Sequence, residues 1–131
     1  MSPRRAVSSG AAAAPLAHYS PAIVSGRTVY CSGSLGTDLR SGEIVPGGIE
    51  AQTRQALMNL DAILTEAGSS LAAVLKMTCY LALTEDFPGF DRAYRELVPS
   101  PPPARATVRA DLMIDGALLE IEAIATVAEG Q

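Results

Sequence analysis

Histidine, lysine and cysteine are scarce in this 131-residue chain: it has His18, Lys76, and the pair Cys31 and Cys79. One histidine with no Cys/His cluster around it offers no ligand set for a transition metal, so no metal site is expected. Both cysteines lie in apolar, strand-like segments and read as packed, reduced thiols rather than a disulfide or a nucleophile. No uninterrupted apolar run approaches the roughly 18 residues of a membrane span, so no membrane partner is expected. No glycine-rich loop followed by Lys-Ser/Thr is present to cradle a phosphate, and no motif implies a cofactor. The net charge is −4 and the ten basic residues are scattered. That pattern lacks the basic stripe of a nucleic-acid binder, and no RNP-like or zinc-knuckle spacing appears. The start shows no signal-peptide hydrophobic region, which points to a cytoplasmic location.

What is present suits one domain. Hydrophobic residues make up 48% of the chain, enough for a real core. Residues 1–15 are rich in Ser, Ala, Pro and Arg without apolar periodicity and read as a disordered tail, leaving 16–131 as the folded unit. Ala22-Ile23-Val24 and Arg27 to Ser32 read as a hairpin about Gly26. Ser32-Gly33-Ser34-Leu35-Gly36 then reads as a turn whose backbone amides could face a ligand. Over Ile49 to Ala67, the residues Ala56, Leu57, Leu60, Ile63, Leu64 and Ala67 recur at helical spacing, with Gln52, Arg54, Gln55, Asn59 and Glu66 outside the stripe. Leu75 to Leu83 alternates as a strand whose apolar face is Leu75, Met77, Cys79, Leu81 and Leu83. Thr84 is placed to cap a second helix with Phe87, Phe90, Tyr94 and Leu97 on its core side. The prolines from Pro99 to Pro103 end that helix.

Two strands near the end carry charge at alternate positions. In Ala104 to Arg109, Arg105, Thr107 and Arg109 share one face. In Leu119 to Ala125, Glu120 and Glu122 share a face opposite Leu119, Ile121, Ala123 and Ala125. Asp115-Gly116 is expected to turn the first strand into the second. The resulting order is β-β-α-β-α-β-β, most simply an α+β fold: one mixed sheet with both helices on the face bearing Val108, Ile121 and Leu81. The other face is expected to carry Arg105, Arg109, Glu120, Glu122, Thr78, Lys76, Tyr80 and Ile124, a mixed surface that another subunit could cover. A guanidinium there can grip a carboxylate by a two-point fork, and a nearby carboxylate can move protons. A cross-strand ion pair of Arg105 with Glu120 or Glu122 is the structural alternative. Two carboxylates two residues apart stand about 7 Å from each other and would raise a pKa, while an arginine nearby would lower it, which leaves the sign open.

Between Tyr19 and Val127 the chain resembles the Rid (YjgF-like) reactive-intermediate deaminases. The likeness lies in Tyr19-Ser20, Val29 to Gly33, Ser41 to Val45, Gln52-Thr53, Asn59-Leu60, Lys76, Asp86-Phe87, Tyr94, Pro103-Ala104-Arg105 and Glu120 to Ala125, in that order. The resemblance implies a chorismate-mutase-like α+β fold, a homotrimer with clefts between subunits, and hydrolysis of 2-imino acids or enamines to 2-keto acids and ammonia, without metal or cofactor. It implies that Arg105 grips the substrate carboxylate, Glu120 handles water or a proton, Tyr19 and Phe87 wall the cleft, and the backbone at Ser32-Gly33 approaches the ligand.

Four places depart from the family pattern. Ala17-His18-Tyr19-Ser20-Pro21 replaces Gly-Pro-Tyr-Ser-Gln, Ser34 replaces a glutamine, Asp91 an asparagine, and Thr107 a residue that is often cysteine. Asp91 and Thr107 join the expected substrate-binding set, and His18 reads as a surface or packing residue. The departures motivate two alternatives: a specialised enzyme acting on an imine intermediate in a biosynthetic pathway, and a ligand-binding or chaperone-like trimer without turnover.

Overall fold

The computed structural model describes residues 3–7 and 17–128. Its strands are β1 (Arg5–Val7), β2 (Ala22–Ser25), β3 (Thr28–Ser34), β4 (Val74–Leu81), β5 (Ala104–Arg109) and β6 (Leu119–Thr126), and its α-helices are α1 (Gly48–Glu66) and α2 (Phe87–Leu97). The strands form one mixed sheet in the order β1-β2-β3-β6-β4-β5, antiparallel except for the β4–β5 pair. Arg5–Val7, expected within a structureless tail, is an edge strand: Val7 pairs with Ala22 and is buried. Three residues are too few to show a period, and the free edge of β2 supplies the ladder that orders them. The rest of the expected tail lies outside the described residues.

α1 buries the expected stripe of Ala56, Leu57, Leu60, Ile63 and Leu64 against the sheet. Each fully buried leucine stabilises the fold by about 1.5–3 kcal/mol relative to exposure. Gln52 and Asn59, expected on the wet side, are also buried. Gln52 accepts the Leu118 N–H at 2.8 Å and donates to the Gly116 carbonyl, while Asn59 donates to the carbonyls of Leu35 and Thr37. Each amide satisfies loop backbone that would otherwise be buried without partners. A Cβ at position 36 would strike the Gln52 backbone at 2.7 Å, so this loop can lie on α1 only with glycine there.

Before α2, Thr84–Asp86 forms a 3-10 turn, so the helix begins after Asp86 and not at a Thr84 cap. In β4 a bulge between Val74 and Lys76 buries Val74 and turns Leu75 out to solvent, and Leu83 lies beyond the strand and is exposed. The apolar face is therefore Val74, Met77, Cys79 and Leu81. Asp115-Gly116 does turn the chain, with Gly116 at φ 83°, but β5 and β6 do not form a hairpin: β4 lies between them.

That insertion changes which face β5 presents. Met77 pairs with Arg105, Cys79 with Thr107 and Leu81 with Arg109, so these β5 side chains point to the side that the helices cover. Val108 pairs with Tyr80 on the open face and is 46% exposed. Glu120 pairs with Tyr80 and Glu122 with Thr78, also on the open face. Arg105 and Glu120, expected on one surface, stand on opposite faces of the sheet. The alternation along β5 holds, but its sense is inverted, because three aromatic rings on α2 receive the guanidinium.

Candidate active site

The site residues fall into two groups. The first gathers at the edge of the sheet under α2. The Arg105 guanidinium carbon lies 4.7 Å from the ring centre of Tyr94, 5.3 Å from that of Phe90 and 5.7 Å from that of Phe87. Phe90 and Tyr94 are buried, Phe87 is exposed, and the Tyr94 hydroxyl donates to the Met77 sulfur at 3.3 Å. Ring faces attract a guanidinium by about 0.5–2 kcal/mol, and its methylene stem packs as an apolar group. This explains how β5 can turn its arginine inward: the charged head reads as polar in the sequence, but its environment is aromatic.

Arg105 also donates from one terminal nitrogen to Asp91 Oδ1 at 3.0 Å, and Asp91 Oδ2 accepts from Arg95 at 3.0 Å. The Arg105 side chain remains 22% exposed. Burial pushes the Asp91 carboxyl up, but the hydrogen bonds and charges of Arg105 and Arg95 outweigh it and hold the group below the usual carboxylate range. Thr107 lies beyond Arg105 on the same face, opposite Cys79. Cys79 and Cys31 are free and buried, and burial pushes each thiol up to about 12, so both are packing groups.

The second group lies on the open face. Between Cys31 and Ser34 the register of β3 on β6 shifts: Ser32 and Gly33 together oppose Glu122, a β-bulge. The Glu120 side chain folds over this bulge, and a Cβ on Gly33 would collide with its carboxylate. A side chain at position 33 would therefore push the end of the Glu120 side chain aside. The Ser32 hydroxyl donates to the Ser20 carbonyl at 2.6 Å and the Ser32 N–H to the Pro21 carbonyl at 2.9 Å, which pins the Tyr19 segment beside the bulge. Tyr19 is 49% exposed. Within one chain, burial and then the charge of Glu122 raise the Glu120 carboxyl above its usual value. The arginine that could have opposed the shift is on the far side of the sheet.

Arg105, Phe87, Asp91 and Thr107 thus form one cluster, and Glu120, Ser32, Gly33 and the Tyr19 segment another. A single chain does not bring them together. The ring platform of Phe90 and Tyr94 was legible only as helix core. Tyr80, which donates to Glu122 across the strands, carries no signal without the register. Among the described residues no group of three or more His, Cys, Asp or Glu could hold a metal ion, and no helix is long and apolar enough to cross a membrane.

Residues 9–127 match the endoribonuclease L-PSP family. The chain belongs to this Rid (YjgF-like) family. Among this family's curated members, the goat protein named 2-iminobutanoate/2-iminopropanoate deaminase is 41% identical over 93% of this chain and 89% of its own length. The human protein of the same name is 38% identical over the same shares. Among solved Rid structures, RidA from the Antarctic bacterium Psychrobacter superposes with a TM-score of 0.89 at 34% identity, covering 94% of this chain and 99% of that one. The structure of Escherichia coli TdcF with bound serine superposes with a TM-score of 0.88 at 28% identity, covering 95% and 99%. The bovine relative, 40% identical over 93% of this chain, carries the same deaminase name.

Proposed function

We propose that the protein hydrolyses 2-imino acids, or the enamines that tautomerise to them, in clefts that each combine two copies of the chain in a trimer. The observation that carries this reading is the division of the site. A guanidinium seated on aromatic rings and a half-buried carboxylate with a raised pKa stand on opposite faces, so a cleft containing both needs Arg105 from one copy and Glu120 from the next. The mixed open face, with Tyr30 and Val108 exposed beside Ile23 and Ile124, suits cover by a second copy.

In such a cleft the Arg105 donors not used by Asp91 hold the substrate carboxylate, and the bulge at Ser32-Gly33 brings backbone close to the ligand. Glu120 gives its proton to an enamine carbon to form the imine. As a carboxylate it takes a proton from the water that attacks the imine carbon. Glu120 returns that proton to the amine nitrogen, the C–N bond of the carbinolamine breaks as its hydroxyl gives up a proton, and a 2-keto acid and ammonia leave. An imine is already electrophilic, so positioning and proton transfer carry the reaction. Tyr19 and Phe87, both exposed here, wall the cleft. Asp91 places a fixed negative charge beside the guanidinium, which disfavours substrates with a second carboxylate. Reduced, buried thiols suit a cytoplasmic setting. The family's endoribonuclease title has little support in this chain, whose charge is −4 and whose basic residues are scattered.

The test generates 2-aminoacrylate and other 2-imino acids in situ and measures ammonia and keto-acid release. Acceleration by the wild type is expected, with loss in both Arg105→Ala and Glu120→Gln. Mixing those two variants should restore part of the activity, because a mixed trimer contains a cleft with both native residues. No recovery after verified subunit exchange would place both groups in one chain's site. No acceleration over several imines would remove the deaminase reading, and saturable binding without turnover would replace it with a ligand-binding trimer. That outcome has one observation in its favour, the guanidinium already paired with Asp91.

A further inference from the structure

The open face holds a polar contact that the proposed reaction does not use. Tyr80 stands directly across from Glu120, and Thr78 across from Glu122. The Tyr80 hydroxyl nevertheless passes its cross-strand partner and donates to Glu122 Oε1 at 2.5 Å. Diagonal reach of this kind is within range of an aromatic side chain on a sheet. A short O–H···O bond is strongest when its acceptor is an anion. The hydrogen bond to Glu122, followed by burial, raises the Tyr80 phenol, so the tyrosine keeps its proton as the donor. Glu120 has no such donor among the described residues; it lies over Gly33, half-buried.

We propose that Tyr80 and Glu122 are a positioning pair that makes Glu120 the proton-carrying member of the two carboxylates. The phenol pins Glu122 as a fixed anion two residues along the strand, and the proton that must move is left to Glu120. The proposal rests on Glu120 being the acid–base group of the deaminase reading. The charged and titratable groups facing Glu120 can be named element by element. Glu122 lies on its own strand, Tyr80 and Lys76 on β4, and Tyr30 on β3, while β5 presents only Ala104, Ala106 and Val108 on this face. Lys76 is exposed and sits opposite Ile124, away from Glu120, so its charge is screened by water. Tyr19 stands in the segment pinned beside the bulge. In the proposed cleft Arg105 of the next copy faces Glu120 and favours its anion in wild type and variants alike. Within the chain Glu122 is the charge best placed to act.

The carboxyl carbon of Glu120 is followed by NMR titration in the wild type, Glu122→Gln and Tyr80→Phe, alongside the pH profile of kcat for imine hydrolysis. Removing the Glu122 charge makes ionisation of Glu120 easier, so its titration moves to lower pH. Two unit charges about 7 Å apart at a half-solvated site, between the limits of water and of a protein surface, interact by roughly one pH unit, which sets the expected shift. The limb of the kcat profile that reports Glu120 moves the same way, whether the acid or the base form is the active one. In Tyr80→Phe the pin is lost, the proton becomes shared, and the two carboxyls titrate as a coupled pair. A merely structural pair would alter the melting temperature and leave both titrations in place. If Glu120 titrates unchanged in both folded variants while the wild type deaminates imines, the pair has no such role. If the wild type deaminates nothing, the parent reading fails, and the NMR shifts still decide whether the pair exists.

Discussion

The two halves of the site are built on opposite electrostatic principles. Around Arg105 every charge has an opposite neighbour: the guanidinium meets Asp91, Asp91 meets Arg95, and ring faces fill the remaining space. Around Glu120 the nearest charge within the chain is another carboxylate, and beneath it lies an irregular bulge whose glycine leaves room for the carboxylate. The first half is stabilised by the fold in its working state. The second is held by geometry against its own electrostatics. A group that only grips can be neutralised and rigid, whereas a group that must take up and release a proton needs an environment in which neither form is strongly preferred.

The contrast can be broken most severely at the platform. Phe90→Ala removes a fully buried ring from under Arg105 and should cost about 3–5 kcal/mol, measured by urea denaturation. A loss below about 1 kcal/mol would mean that the rings do not form a packed support. On the other half, Gly33→Ala should displace the Glu120 carboxylate. We expect a cost of about 1–3 kcal/mol in stability and at least about a tenfold drop in kcat. Carboxylate binding at Arg105 should persist, and calorimetry with a non-reacting 2-keto acid would show it. Retained kcat would separate Glu120 from the chemistry.

Smaller effects should distinguish the halves by pH. The Asp91 carboxyl is lowered in the folded state, so its contribution is present above the unfolded value of about 3.9 and lost as pH falls through the folded value. The Glu120 carboxyl is raised, so its contribution is fully present below the unfolded value of about 4.3 and lost as pH rises through the folded value. From pH 3 to pH 7, Asp91→Asn should therefore fall behind the wild type in melting temperature while Glu120→Gln gains on it. Parallel curves would erase the electrostatic distinction. Asp91→Asn should also lower KM by about threefold to tenfold for an imine bearing a second carboxylate, and less for an alanine-derived imine. Equal changes for both substrates would remove Asp91 from selectivity. The smallest effect belongs to Arg54→Ala, which breaks the exposed Arg54–Glu96 bond between α1 and α2, remote from both halves. It should leave the urea midpoint and the kinetics unchanged.

Much of the fold was legible because periodicity reports burial. The stripe from Ala56 to Leu64 on α1, the hairpin about Gly26 and the alternation in β6 all appear where that pattern places them. The misses have physical causes. Gln52 and Asn59 are polar yet buried, since loop backbone needs partners inside. Leu75 is apolar yet exposed, since a bulge breaks the alternation one residue into β4. Arg5–Val7 is ordered by a neighbour's free edge and not by its own composition.

By itself the sequence determined most of the elements, the family membership and the identities of the charged residues that share a face within β5 and β6, because alternation is a property of the local backbone. Which way β5 faces is not local. It follows from β4 lying between β5 and β6, from the register that sets Arg105 beside Met77, and from three rings on α2 that make a guanidinium acceptable on the buried side. Only the tertiary structure could therefore separate Arg105 from Glu120. A strand fixes the relation of a residue to its second neighbour, while strand pairing and packing decide which of the two faces meets the core.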